Sequence, residues 1–379
     1  VGHVCCYYEK VLKIGFQGII KEVLEAMNKV DRKKPEAIKQ LQFYKALLIT
    51  YTAAINHAHR YGKLAAELKE LSGIDTGYAP TGGIIPCLGE AELEARAQFI
   101  EKLRAETEDG TYPASVLSRK ELEGMLPKVP FGPEVSGGIW SDMDGYVDPL
   151  HLMFAFRKSF VRLGGTLFAG ERVSEVKPSG KGYAVVCGGR TLECGKAVLA
   201  AGLGVRKLAA QLGTDIPVFP NKSQVMLLER IPADVLPIPL LGIARTFGGT
   251  VMIGAAHENM GMDRRLTPEV LAANAQWAVR VWPELERKRI LRFWTGLRVW
   301  PKDAYPIYDR IPGHENAFVF AMHSAVSLAA ILEQALPDYV MGKPLPPDGA
   351  IFGLSRFAGG GSGFQGSAAS SPHAEAPNK

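Results

Sequence analysis

The sequence has few cysteines and no Cys-x-x-Cys pair. Five cysteines occur in 379 residues, and the adjacent Cys5 and Cys6 lack the further ligands at short spacing that a structural zinc site requires. Cys87, Cys187 and Cys194 lie in apolar, strand-like segments. We therefore expect free thiols, as in a reducing compartment, and no bound metal.

A long uncharged apolar run is also missing. The longest weakly charged stretch, residues 235–256, is interrupted by two prolines and by Arg245. A membrane-spanning helix needs about 20 consecutive apolar residues, and a secretory leader pairs a charged start with an apolar stretch. The sequence therefore predicts no membrane span, no export and a cytoplasmic location.

Charge of one sign is scarce outside the first 70 residues. The formal net charge is +5, with 12 Lys and Arg against 7 Asp and Glu in residues 1–70, which leaves 32 against 32 in the remainder. A nucleic-acid surface needs its cations on one face with aromatic or donor groups between them. We therefore expect no nucleic-acid partner. The 47% hydrophobic and 22% charged composition is that of a folded globular protein.

Residues 1–70 are predicted to form a helical hairpin. Apolar residues recur at steps of three and four over 8–27 and again over 38–68. A polar break with Pro35 at a first helical position separates the two runs. His57 and His59 cannot share a helix face at a spacing of two, so we do not expect them to be ligands.

Residues 71–357 are predicted to have an α/β or α+β fold, because helical and strand-like segments alternate there. Gly248-Gly249 is typical of a tight turn between two strands within 242–255. The tail 358–379 is rich in Gly, Ser, Ala and Pro, and we expect it to be disordered. The predicted helices are 90–107, 119–125, 151–163 and 267–282, and the predicted strands include 172–177, 183–187 and 196–200.

Two strand ends are candidates for cofactor binding, and one arginine is a candidate for substrate binding. The strand 196–200 ends in small residues, which let a cofactor approach the backbone closely. The segment 318–330 runs from a strand through small and polar residues into a helix, whose first N–H groups can hold an electron-rich group. Arg298 lies between a Gly-Leu pair and aromatic residues, a setting that favours capture of a carboxylate.

Each of these residues also has a structural interpretation. Arg298 can serve as an ion-pair partner and His323 as a hydrogen-bonded structural histidine. His257 follows the predicted hairpin, where a surface position on an edge strand is favoured over a place in a pocket. Asp142 and Asp144 are two residues apart in a loop, a spacing more typical of a turn than of an acid/base pair.

Taken together, residues 71 to about 357 resemble the flavin-dependent D-amino-acid oxidase superfamily, and most of all glycine oxidase-like proteins and the opine or cyanide-forming amine oxidoreductase subunits. Six short stretches carry the resemblance in family order and at family spacing. They are residues 81–83, 144–149, 198–202, 294–298, 303–307 and 323–329.

The resemblance implies a two-domain fold that binds FAD and oxidises a small-molecule amine or amino acid to an imine. The FAD-domain parts would be about 141–216 and 298–357, and the substrate-domain parts about 77–140 and 217–297. Assembly as a hetero- or homo-oligomer stays open.

By the same resemblance, Arg298 would bind the substrate carboxylate and His323 would act beside it. Some relatives have a second arginine where this chain has Ala325, so we expect a single carboxylate contact. The residues expected to contact FAD are Val173, Ala200, Ala201, Gly202, His323, Ser324, Ala325, Val326, Ser327, Leu328 and Ala329.

The family's first cofactor element is not found in the expected form. Members begin with a strand, a G-x-G-x-x-G turn and a helix that receives the pyrophosphate. Three stretches, residues 8–12, 15–20 and 42–61, instead carry a different resemblance. Through them residues 1–68 resemble an internal helical piece of glycyl radical enzymes, without their radical loop or active-site cysteine segment. The sequence therefore predicts an incomplete oxidase-like fold preceded by a helical hairpin. The alternative function is that of an inactive hybrid, unable to retain FAD and acting at most as a scaffold or partner subunit.

Overall fold

The computed structural model describes residues 2–3, 60–106, 113–345, 349 and 352–357. Seven helices lie in these ranges: α1 (60–72), α2 (Glu90–Glu106), α3 (Arg119–Met125), α4 (Pro149–Arg162), α5 (Val205–Ala210), α6 (Pro268–Val281) and α7 (Ala325–Val340). The same ranges contain short 3₁₀ segments at Gly202–Gly204, Pro283–Arg287 and Leu354–Phe357.

Fifteen strands occur in the same ranges. They are β1 (Gly2–His3), β2 (Gly83–Leu88), β3 (Ser115–Ser118), β4 (Val135–Ser141), β5 (Tyr146–Val147), β6 (Val173–Ser179), β7 (Gly182–Cys187), β8 (Arg190–Cys194), β9 (Ala197–Leu199), β10 (Val218–Arg230), β11 (Ile243–Arg245), β12 (Thr250–Ile253), β13 (Ile290–Pro301), β14 (Ile307–Arg310) and β15 (Ala317–Ala321).

The strands form small sheets, most of them antiparallel. The orders are β11-β12-β10-β13, β2-β4-β3, β6-β7-β8, β14-β15-β9 and the pair β1-β5. Bridges from Leu240 to Ile84 and to Ile243 join the first two sheets. Among the described strands, β9 and β15 form the single parallel pair. In this part of the chain β9 pairs with β15 alone, so its other edge carries no strand.

The long strands β10 and β13 connect two hydrophobic cores. They pair antiparallel from Val218–Pro301 to Leu228–Ile290. Val218, at one end of β10, packs in the core around β9, β15 and α5. Met226 and Leu228, further along β10, pack in the core that contains α6. The ribbon therefore ties both cores together, while the domain limits drawn from the sequence stay a prediction.

A third core is formed by residues of α1, α4 and α7. Tyr61, Leu64 and Leu68 of α1 pack with Leu152, Ala155 and Ala330. The opposite stripe of α4 is apolar but open to solvent. Its exposed members are Leu150, Met153, Phe154, Phe160 and Val161.

Most sequence-predicted elements are confirmed, with shifted ends. The helix 119–125 has the predicted limits, and the Gly248-Gly249 turn joins β11 to β12 as expected. The helix predicted at 151–163 begins two residues earlier, because Asp148 caps it and Pro149 occupies its first turn. Strand β8 was not predicted. The hairpin prediction up to residue 59, with His57 and His59, and the tail prediction lie outside the described residues.

The Asp148 cap has a measurable local effect. Its Oδ1 accepts hydrogen bonds from the N–H groups of Leu150 and His151 at 2.9 and 3.0 Å. Loss of such a cap costs about 1 kcal/mol, which is about a five-fold change in a local opening equilibrium. We expect Asp148→Ala to speed hydrogen exchange of these two amides about five-fold. Asp148→Asn, which keeps an acceptor, should stay near the parent. Equal exchange in all three proteins would contradict the cap.

Steric constraints explain the glycine at position 82, the first of the two in the motif 81–83. Gly82 has φ +69°, and a Cβ there would lie 1.9 Å from Cη2 of Trp140. Only glycine combines this backbone conformation with such a close approach. The motif therefore sets the entry of the chain into β2.

The cysteines of the described part carry free thiols, as expected. Cys87 and Cys187 are buried and Cys194 is half-buried. Burial raises the pKa of the Cys87 thiol to about 12, which keeps it protonated and unreactive. Cys5 and Cys6 lie outside the described residues. None of the helices that the structure describes combines the length and apolar character needed to span a bilayer.

Candidate functional site

The parallel pairing of β9 and β15 brings the two predicted cofactor segments to one edge of a sheet. Leu199 lies opposite Val319, so the residues that follow both strands emerge side by side. The turn at Ala200–Gly202 follows β9, and His323 follows β15. The carboxyl ends of parallel strands are where ligands bind in α/β folds.

The turn after β9 is small and accessible. Ala200 and Ala201 are exposed, and Gly202 is half-buried. Gly202 has φ +57°, a conformation that favours glycine. It opens the 3₁₀ turn Gly202–Gly204, which leads into α5. The backbone is therefore open to a ligand at this point, as small residues at a strand end predict.

The start of α7 forms the neighbouring segment. Ser324 precedes the helix with φ +59°, and Ala325 is exposed at its first position. The hydroxyl of Tyr61 in α1 donates to the carbonyl of Val326 at 2.7 Å, which ties this segment to α1. Ser327 and Ala329 are half-buried, and Leu328 is buried. Of these residues, Ala325 is therefore the most accessible side chain.

Val173 belongs to a different sheet, β6-β7-β8. It is half-buried at the start of β6, where it pairs with Cys187 of β7. It packs at the margin of the core that contains Leu199. Its predicted place beside an adenine ring stays a prediction.

Arg298 lies on β13 within a set of protein acceptors. Its Nη1 donates to the carbonyl oxygen of Ala256 at 2.6 Å. Asn221 Oδ1 is 3.3 Å and His257 Nδ1 is 3.2 Å from the same nitrogen. One edge of the guanidinium is thereby fixed by groups from β10 and from the segment after β12.

The surface position expected for His257 is wrong. Besides facing Arg298, its Nδ1 lies 3.0 Å from Oδ1 of Asn221. Its ring also meets Trp300 edge-on, with centroids 5.4 Å apart. The chain turns inward after β12, because Glu258 forms a bridge with Lys222 of β10. His257 therefore belongs to the candidate site.

Trp300 connects this group to the start of α7. Arg298 and Trp300 are two residues apart on β13 and so share a face of the strand. The indole and the His323 ring have centroids 4.4 Å apart. The structure thus brings together Arg298 and His323, the two residues predicted to act on substrate, through Trp300 and His257.

The sequence reasoning missed Asn221 and Trp300. One signal for Asn221 exists, since four consecutive polar residues interrupt the apolar strand β10. All four are buried, which identifies them as partners of other polar groups. They are Asn221, Lys222, Ser223 and Gln224, with 5, 1, 8 and 0% of their surface exposed.

Behind the site, Lys222 and Glu258 form a buried ion pair. Lys222 Nζ is 3.2 Å from Glu258 Oε2 and donates to Thr267 Oγ1 at 2.7 Å. Gln224 Nε2 donates to the second oxygen of Glu258 at 2.6 Å. The network anchors the segment that carries His257 onto β10.

Asp142 and Asp144 lie in the connection between β4 and β5, as the turn interpretation predicts. A separate cavity of about 440 Å³ lies near this connection, lined among others by Tyr146 and Arg245. Arg245 is paired through Val251 with Leu228, seven residues from Asn221 on β10. At about 3.3 Å per residue this places Arg245, one residue of the cavity lining, roughly 23 Å along the strand from the Arg298 group.

Comparison with known proteins decides the family. The family model described as DAO, FAD dependent oxidoreductase, matches residues 31–332. The chain belongs to this family. The match to the DAO family begins within the segment 1–70 and ends inside α7. Members of the family are FAD-dependent, so FAD is the cofactor of this family.

Curated relatives agree with this membership. An opine oxidase subunit of Agrobacterium tumefaciens (strain Ach5) is 32% identical over 301 residues, which cover 79% of this chain and 80% of that protein. Hydrogen cyanide synthase subunit HcnC of Pseudomonas aeruginosa is 29% identical over 308 residues, covering 78% of this chain and 72% of that protein. Both relatives are subunits of their enzymes.

Solved structures show the same mixed α/β fold. The crystal structure of glycine oxidase from Geobacillus kaustophilus has a TM-score of 0.72 at 23% identity, covering 88% of this chain and 86% of that chain. L-proline dehydrogenase from P. horikoshii gives 0.68 at 20% identity, with 83% of each chain covered. The DAO-type fold is therefore shown, as the sequence predicted.

The described residues fit part of FAD. The exposed small residues Ala200 and Ala201 and the half-buried Gly202 offer backbone at a strand end, beside the start of α7. A nucleotide and a flavin ring edge need such open backbone. Within the described ranges, no strand leads through a G-x-G-x-x-G turn into a helix. The open backbone at this edge is therefore compatible with FAD, and no described element is assigned to its pyrophosphate.

Proposed function

We propose that this DAO-family protein oxidises an amine or amino acid to an imine, with FAD as the hydride acceptor. The observation that carries the proposal is a run of side-chain contacts from Arg298 through His257 and Trp300 to His323, just before α7. Arg298 lies beside His257, His257 meets Trp300, and Trp300 meets His323. A carboxylate-binding group is thereby held next to the segment proposed to hold the flavin ring.

Arg298 is proposed to bind the substrate carboxylate. Its guanidinium is charged at all physiological pH values and can form paired charge-assisted hydrogen bonds with a carboxylate. Because Nη1 is held by Ala256 and its neighbours, the cation has a fixed direction. Fixed direction matters, since orientation of the bound substrate lowers the barrier to reaction.

His323 is proposed to orient the reacting end of the substrate. Its ring stacks at a 42° tilt on Trp300, which limits its rotation. Ala325, Val326, Ser327, Leu328 and Ala329 follow it at the start of α7, where the first backbone N–H groups of a helix favour electron-rich partners.

FAD supplies the two-electron acceptor for this chemistry when bound. Val173, Ala200, Ala201 and Gly202 are proposed to contact its nucleotide end, and Ser324 with the start of α7 its ring. No strong side-chain base is needed, because a neutral amine carries no proton that must leave before the hydride. The imine product is then hydrolysed by water.

The test is whether the purified chain retains FAD and passes electrons to it. After incubation with FAD and gel filtration, flavin absorption bands should elute with the protein. Anaerobic addition of a substrate amino acid should then bleach them. Ala201→Trp fills the opening after β9 and should abolish retention, whereas Ala210→Trp, at an exposed alanine of α5, should not.

The alternative is a scaffold or partner subunit without catalysis. It is favoured by the open edge of β9, which no strand of the described part covers. A protein that is folded by circular dichroism yet shows no flavin bands after FAD addition would support this alternative and overturn the enzyme proposal.

A further inference from the structure

We propose that Asn221 and His257 are positioning residues that hold Arg298 for the carboxylate. The inference rests on the proposed function, and it names residues to which neither the family resemblance nor the sequence pattern assigns a role. The three groups that surround Nη1 are called the Arg298 clamp: the Ala256 carbonyl, Asn221 Oδ1 and His257 Nδ1.

The clamp is built from two separate parts of the chain. Asn221 lies on β10 directly opposite Arg298 of β13 in the strand register. Ala256 and His257 follow β12 and are 42 and 41 residues from Arg298 in the sequence. Asn221 is 5% exposed, so its amide is shielded from water, and bonds to it are not easily exchanged for solvent.

The hydrogen-bond chemistry fixes the roles of these atoms. A guanidinium nitrogen only donates and an amide oxygen only accepts, so His257 Nδ1 cannot bond to both Arg298 and Asn221. The shorter contact, 3.0 Å to Asn221 Oδ1, places the proton on Nδ1, and His257 then donates to Asn221 and holds its oxygen beside Arg298. Asn221 Nδ2 donates to Asn259 Oδ1 at 3.2 Å, which turns Asn221 Oδ1 toward Arg298. The chain Asn259, Asn221, Arg298 therefore has a consistent direction of donation.

Fixing Nη1 has a consequence for substrate binding. An arginine side chain that is free to rotate loses rotamer entropy when it orders around a ligand. Because the clamp orders the Arg298 side chain when the protein folds, this entropy is not lost again when a carboxylate binds.

Binding of N-acetylglycine to the FAD-supplemented chain tests the clamp. This probe has a carboxylate, but its acylated nitrogen resists oxidation, so calorimetric titration reports binding without turnover. Asn221→Leu removes a hydrogen bond to the charged guanidinium, and His257→Leu removes the group that holds Asn221 Oδ1, so each should weaken binding about ten-fold. His257→Asn keeps an amide N–H that can donate to Asn221 Oδ1 and should stay within about three-fold of the parent.

Two comparisons separate a positioning role from general loss of structure. His314 forms a hydrogen bond with Tyr183 outside the site, and His314→Leu should bind the probe like the parent. In an Arg298→Leu background, Asn221→Leu should cause less than a two-fold further change, because its effect passes through Arg298.

The outcomes are distinguishable from those of the proposed function. Parent-like affinity in Asn221→Leu and His257→Leu, or an undiminished effect in the Arg298→Leu background, would overturn the clamp while leaving the oxidase proposal intact. Absence of probe binding in the parent overturns the clamp as well. Absence of flavin reduction in a parent that binds the probe counts against the proposed oxidation alone.

Discussion

Replacing Arg298 by leucine should lower kcat/KM for an amino-acid substrate by about 30- to 1,000-fold. The reason is the loss of charge-assisted hydrogen bonds to the carboxylate, worth about 2–4 kcal/mol in the transition state, where 1.4 kcal/mol corresponds to a factor of ten. Steady-state kinetics of the FAD-loaded protein measure the change.

The Arg298→Leu variant should lose activity only toward substrates that carry a carboxylate. An amine substrate without a carboxylate should be oxidised by Arg298→Leu as fast as by the parent. Arg292→Leu removes another arginine of β13, exposed to solvent, and should behave like the parent with both substrates. An equal loss for both substrate types in Arg298→Leu would mean that Arg298 supports the fold instead of binding the carboxylate.

Replacing Glu258 by leucine should destabilise the protein by about 3–5 kcal/mol, since it strands a buried charge. Lys222 has 1% of its side chain exposed, and Glu258 is its carboxylate partner at 3.2 Å. The variant also leaves Thr267 Oγ1 without its acceptor and Gln224 Nε2 with only the longer bond to the Thr267 carbonyl at 3.4 Å. The midpoint of chemical denaturation measures the loss.

The double variant Lys222→Met with Glu258→Leu provides the matched control. It removes both charges, and pairs of this kind are often replaceable by apolar residues at little cost. We expect it to recover most of the lost stability. Asp215→Asn breaks an exposed pair with Arg206, whose side chains are 64 and 48% accessible, and should change stability by less than about 1 kcal/mol. A Glu258→Leu effect no larger than this would reject the buried-pair argument.

The Lys222–Glu258 pair also supports the segment that carries His257 of the site. Glu258 follows His257 directly, and the Lys222–Glu258 bridge brings that segment back to β10. Loosening the network should therefore weaken N-acetylglycine binding even where the protein is still folded. Loss of stability without loss of binding would show that the clamp is held by its own bonds.

Local signals were sufficient for much of the fold. The capping of α4 by Asp148, the Gly248-Gly249 turn and the periodicity of α3 depend on neighbours within a few residues. Sequence patterns capture such short-range effects well. The limits of α4 moved because a proline and a cap residue extended the helix beyond its periodic apolar core.

The site was predictable only in part. Arg298 and His323 stood out because each interrupts an apolar segment, and family resemblance supported both. His257 was misjudged, because the sequence shows a residue after a hairpin and cannot show that the segment turns inward onto β10. Trp300 gave no signal, since one tryptophan in an aromatic-rich strand is usually a core residue.

The sequence by itself determined which residue types lie at the ends of β9, β13 and β15, because small residues, an isolated arginine and a strand leading into a helix are local facts. The tertiary structure alone decided that Asn221 faces Arg298. These residues are 77 positions apart, and their contact depends on the register of β10 against β13. That register is set by the packing of two cores at once, which no local pattern encodes.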